Sequence, residues 1–133
     1  MFSDTLSKYQ PIALSVLRFY TGLSIIEHGL VKNFGFPTGA PYGMTTAGTL
    51  GWYGGLIELI GGALIIVGLF TRPVAFLMAG FTAVAYFMVH APQNFFPIVN
   101  KGELAAVYCF VFLYLIFAGG GPLSLDAVLR KRS

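Results

Sequence analysis

Charge is what this sequence has least of. Only 10% of its 133 residues are Asp, Glu, Lys or Arg, against about 25% in soluble domains, so an ordinary water-facing surface is excluded. Cysteine is nearly absent too. Cys109 stands alone in an apolar run, which excludes an intrachain disulfide, a Cys-x-x-Cys redox pair and a thiolate metal site; no metal site is expected. No run alternates polar and apolar residues with period two, which argues against a membrane barrel. The first apolar run has no A-x-A-like cleavage site and contains Arg18, Glu27 and His28, so it is not read as a signal peptide. The net charge of +3 reflects Arg130, Lys131 and Arg132, a cluster that suits an anionic leaflet rather than nucleic acid.

What is present is apolar and aromatic. Hydrophobic residues make up 56% and aromatics 16%, with a mean hydropathy of +0.78. Such a chain is expected to be an integral protein of the lipid bilayer. Four apolar runs, about 11–31, 49–70, 73–91 and 102–118, approach the roughly 20 residues that cross hydrocarbon. Backbone groups in lipid must be satisfied internally, so the runs are expected as helices. The fold expected is an all-α membrane protein, a four-transmembrane-helix bundle forming one domain over 1–133, with 119–133 a cytoplasmic basic tail. Lys8, Arg72, Arg130, Lys131 and Arg132 flank one side of the runs, Lys32 and Lys101 the other. The positive-inside rule then predicts both termini in the cytoplasm, N-in/C-in, in a bacterial inner membrane.

Ionisable residues inside such segments are functional candidates by default. At about 1.5 Å per residue, His28, Glu58, His90 and Glu103 fall in the outer half of the four runs and Arg18 lies deeper. At about 100° per residue, Gly51, Gly54, Gly55, Gly61 and Gly62 share the face of Glu58. Glycine faces let helices approach closely, so Glu58 is expected to point inward. A buried ion pair with Arg18 is its expected structural use. Glu27 points away from His28 and is set aside, and Lys32 is expected to snorkel to the interface. Tyr86 and His90 share one stripe of the third run, and Glu103, Ala106, Phe110 and Tyr114 one of the fourth. Tyr42, Trp52, Tyr53 and Tyr86 read first as interfacial anchors.

The segments "LRFYTGLSIIEHGLVKNFG", "GWYGGLIELIGGALIIVGLFTRPVA", the "VH" ending the third run and "KGELAAVYCFVFLYLIFAGGGPLSLD" together resemble the DoxX family over roughly 17–126. The matching positions are Arg18, His28, Gly29, Lys32, Gly35, Glu58, Gly61, Gly62, Gly68, Arg72, His90, Glu103 and Asp126. The resemblance implies a small four-helix inner-membrane protein. It also implies association with membrane redox complexes, sulfur or thiol oxidation and oxidative-stress defence, since the family is named after a subunit of a thiosulfate:quinone oxidoreductase.

On that basis the leading expectation is a quinone-linked redox subunit. Glu58 and His28 are its candidate proton-transfer groups, and Arg18, His28, Glu58, Tyr86, His90, Glu103 and Trp52 its candidate ligand contacts. A histidine titrates near neutrality and suits proton exchange. No cofactor motif is visible and no covalent cofactor is expected, so electrons would come from a partner redox protein. Whether the chain is an enzyme by itself is open. Competing readings are a non-catalytic membrane anchor or assembly partner and a small-solute transporter. Haem between His28 and His90 is disfavoured because Glu58 would be a poor neighbour. Self-association through glycine and aromatic faces is a further expectation.

Overall fold

The structure is a computed structural model that describes residues 2–132; Met1 and Ser133, which the expected domain and tail include, lie outside them. The described residues form helices and no strand: α1 (Phe2–Ser7), α2 (Gln10–Phe34), α3 (Leu50–Val67), α4 (Thr71–Ala85) continued by a π-helical turn (Tyr86–His90), α5 (Pro97–Asn100), α6 (Glu103–Ala118) and α7 (Leu125–Arg130).

Local chemistry sets the helix ends. α2 carries Pro11 in its first turn, where the missing N–H costs nothing. Thr49 caps α3, its side chain accepting from the Trp52 N–H. α3 stops at Gly68, whose φ of 68° is left-handed and open to glycine without penalty. There the Leu69 N–H reaches Leu64 O at 3.0 Å and the Gly68 N–H reaches Ile65 O at 3.2 Å, the paired bonds of a Schellman ending.

Among the described residues two helices are long and apolar enough to cross a membrane, Leu50–Val67 and Thr71–His90. α2 has the length, with 25 residues, but Arg18, Glu27, His28 and Lys32 make it more polar. α6 is apolar but has 16 residues, about 24 Å of rise against a core of about 30 Å.

The chain divides into two compact units, one of Met1–Phe70 with Gly120–Ser133 and one of Thr71–Gly119. In the first, α2 packs on α3. A Cβ on Gly22 would lie 2.8 Å from Gly62 O, and one on Gly29 2.6 Å from Gly55 O. The two glycine pairs, each spaced by one heptad, therefore face each other with the helices antiparallel and their backbones close. Ile25, Val31, Ile65 and Ala127 are buried in this unit. In the second, α4 packs on α6, and Ala75, Met78, Tyr108, Phe112 and Leu115 are buried. Thr82, also buried, satisfies its hydroxyl on Met78 O at 2.9 Å, the usual solution for threonine inside a helix.

The segment after Gly119, expected as a tail, contains α7 and is bonded to the end of α3. The Asp126 N–H donates to Gly68 O at 2.9 Å, and Asp126 Oδ1 accepts from the Phe70 N–H at 2.8 Å. Phe70, at φ 50°, is a non-glycine residue in the left-handed region, and this bond holds its backbone there.

Candidate functional site

The register of the glycine pairs decides which charges meet. It sets Arg18 level with Ile66 and Glu58 level with Ile26. Side chains on a helix lean toward its N-terminus. On antiparallel helices, Glu58 therefore leans toward the last turn of α2, and Lys32 leans back to meet it. Lys32 Nζ donates to Glu58 Oε1 at 2.6 Å. The Glu58 side chain is 6% exposed and that of Lys32 23%. Lys32 thus turns inward rather than snorkelling, because an ammonium gains more beside a buried carboxylate than along an apolar surface. The other carboxylate oxygen, Glu58 Oε2, is buried and has no hydrogen-bond partner among the described residues.

Asn33 adds a second buried acceptor. Its Nδ2 donates to Trp52 O at 3.1 Å, which fixes the amide orientation, and its Oδ1 is buried without a partner. At Gly55, on the same face as Glu58, a Cβ would collide with Asn33 Cγ and Lys32 Cβ, each at 2.9 Å; the glycine makes room for these two side chains.

His28 lies one helical turn before Lys32. Its Nδ1 shares a hydrogen bond with the Tyr42 hydroxyl, and the two rings stack with centroids 5.9 Å apart. Tyr42 is brought there by the loop after α2. Thr45 donates to Lys32 O through both its backbone N–H, at 2.8 Å, and its hydroxyl, at 2.9 Å. Trp52 is half-buried and meets Tyr53 edge-on, with centroids 5.2 Å apart.

Arg18 does not pair with Glu58. It is 3% exposed and leans the other way along α2. Its Nη1 donates to Ile65 O at 2.5 Å and to Ile66 O, its Nε to Gly120 O at 3.0 Å, and its Nη2 to Leu123 O at 2.7 Å. Arg18 therefore satisfies the Ile66 carbonyl at the end of α3, adds a second donor to Ile65 O, which already accepts from the Gly68 N–H, and fastens the lead-in to α7. The planar, five-donor guanidinium suits this task, and its hydrogen bonds go to backbone rather than to a site.

The remaining candidates belong to the second unit. Tyr86 and His90 stack at 6.3 Å within the π-helical turn. His90 Nδ1 donates to Asn100 O at 3.0 Å; a carbonyl only accepts, so Nδ1 carries the proton. Asn100 is 1% exposed. Its Nδ2 donates to the Tyr86 hydroxyl at 3.2 Å and to Asn94 O at 2.9 Å, and its Oδ1 accepts from the Gly102 N–H at 2.8 Å. Glu103 is exposed at the start of α6, as are Phe110 and Tyr114, while Tyr108, Phe112 and Leu115 are buried. The stripe containing Glu103 thus lies on the exposed side. α6 is apolar all round, and periodicity carried no mark of its inner face. Glu27 is exposed, as its facing predicts.

Asn33 and Asn100, which sequence reasoning passed over, shape these sites, and so does Tyr42, which it read only as an interfacial anchor and which is the partner of His28. The two asparagines had a readable signal, an amide embedded beside apolar runs, where it must find partners. Tyr42 had none, because its partner depends on the course of a loop.

The DoxX family model matches residues 13–91. A Haemophilus influenzae protein described as uncharacterized is 40% identical over 133 residues, covering 97% of this chain and 99% of its own length. A second from the same organism, also described as uncharacterized, is 30% identical over 131 residues, covering 90% and 85%. No solved structure matches significantly.

Proposed function

The chain belongs to the DoxX family, which is membrane-associated, and from that premise we propose that it is the membrane subunit of a redox system and binds a quinone head group at the polar pair between α2 and α3. In this reading α2, α3, α4 with its π-helical turn, and α6 each cross the inner membrane. Both termini face the cytoplasm, a topology supported by the distribution of Lys and Arg among the helix ends.

The observation that carries the reading is Glu58 Oε2, a buried carboxylate oxygen without a partner. Leaving such an oxygen unsatisfied costs about 1–3 kcal/mol or more, and a polar ligand would recover it. A quinol hydroxyl is a donor of the right kind. Reduction of a quinone needs two electrons and two protons. Glu58 and His28 would exchange the protons, His28 through its link to Tyr42. The electrons would come from a partner protein. Trp52 and Asn33 complete the proposed contacts. Arg18 has a structural role here, and the proposed contacts are drawn from the first unit alone.

The test is to purify the protein from native membranes, extract its lipid and assay quinone by mass spectrometry. Wild type should retain quinone, and Glu58→Gln and His28→Ala should each lower retention at least tenfold. Equal retention by both variants would sink the proposed site. A chain that copurifies a partner but holds no quinone is an assembly subunit instead.

A further inference from the structure

We propose that α7 and the cations after it form a binding surface for anionic phospholipid head groups, held at the level where α3 leaves the membrane. α3 is one of the two helices long and apolar enough to span. The start of α7 is bonded to its end, through Asp126 N–H to Gly68 O at 2.9 Å and Phe70 N–H to Asp126 Oδ1 at 2.8 Å. Arg18 holds the preceding segment at Gly120 O and Leu123 O. Ser124 caps α7, its Oγ accepting from the Ala127 N–H at 3.2 Å. A free helix of six residues would not persist in water; these bonds order it.

The surface so presented has two chemistries side by side. α7 buries Ala127 but exposes Leu125, Val128 and Leu129, next to exposed Arg130, Lys131 and Arg132. Apolar side chains beside a compact basic group fit a bilayer interface, with leucines in the acyl boundary and cations among phosphates. A purely electrostatic partner such as nucleic acid would leave those leucines in water. This surface does not depend on the quinone reading; it requires only that α3 spans.

The test uses the full chain in phosphatidylcholine vesicles containing a trace of spin-labelled phosphatidylglycerol or phosphatidylcholine. Electron spin resonance reads the lipid bound to protein. Wild type should prefer phosphatidylglycerol, and the preference should weaken with salt. In R130Q/K131Q/R132Q, which changes exposed residues only, it should fall by at least about fivefold, the worth of one interfacial cation. An unchanged preference, with helicity verified by circular dichroism, overturns the proposal. Leu129→Trp in a Trp52→Phe background gives a second reading. Quenching of its emission by lipids brominated in the acyl chain is expected; quenching by aqueous iodide instead overturns the proposal.

Discussion

Lys32 and Glu58 form a 2.6 Å ion pair across the α2/α3 interface. Its geometry follows from two antiparallel helices whose side chains lean toward each other from opposite ends. Removing one partner leaves a buried charge uncompensated. Lys32→Met should therefore destabilise the protein by roughly 3 kcal/mol, with Lys32 partly exposed and so at the lower end of such costs. Converting both residues to methionine should recover most of the loss. Unfolding in detergent, followed by circular dichroism, checks this; equal and additive losses would show that the pair is not coupled.

Arg18 answers to backbone, not to Glu58. Arg18→Lys keeps the charge but cannot reach carbonyls at Gly120, Ile65, Ile66 and Leu123 together. The expected loss is roughly 2–4 kcal/mol, one or two charge-assisted bonds. Combined with Glu58→Gln, its effect should add within about 0.5 kcal/mol. A larger coupling energy in the double-mutant cycle would restore the pairing that the geometry rules out.

The glycine pairs give a contrast within one protein. A Cβ on Gly62 would stand 2.8 Å from Ile25 Cγ2 and 2.9 Å from Gly22 O. Gly62→Ala should thus cost roughly 1–3 kcal/mol by overpacking. A Cβ on Gly80, in the middle of α4, would meet nothing within 4 Å. Gly80→Ala should instead stabilise the helix by up to about 1 kcal/mol. Thermal unfolding of the two variants side by side decides the matter, and equal effects would contradict the α2/α3 register.

Asn100 orders the approach to α6. Its amide serves Tyr86, Asn94 and Gly102, and Gly102 has no room for a Cβ, with Tyr86 Cε2 at 2.6 Å. Asn100→Ala should cost roughly 2–4 kcal/mol through the groups left unpaired and open the segment 91–101 to protease. Unchanged cleavage there, measured by mass spectrometry, would show that the amide is not what holds it.

Much of this was legible in the residues themselves. The glycine face of α3 marked where Glu58 points, because small residues at helical spacing record a close neighbour. The fourth apolar run gave no such mark, and Glu103 proved to lie on its exposed side. Within the first unit the polar residues form a Glu58–Lys32 pair and a His28–Tyr42 pair, and within the second a Tyr86–His90–Asn100 group. Depth along a helix is a one-dimensional coordinate, and it does not say which way a long side chain leans.

By itself the sequence determined a helical chain: its scarcity of charge, its apolar runs, the proline and threonine that open helices, the glycines that close them, and the inward face of Glu58. These follow from local sterics and from hydrophobic periodicity. Only tertiary structure decided that Lys32 rather than Arg18 neutralises Glu58, that Arg18 fastens the C-terminal segment, and that Tyr42 covers His28. Each depends on the register of α2 against α3 or on the path of a loop, where residues far apart in the chain come within hydrogen-bonding reach.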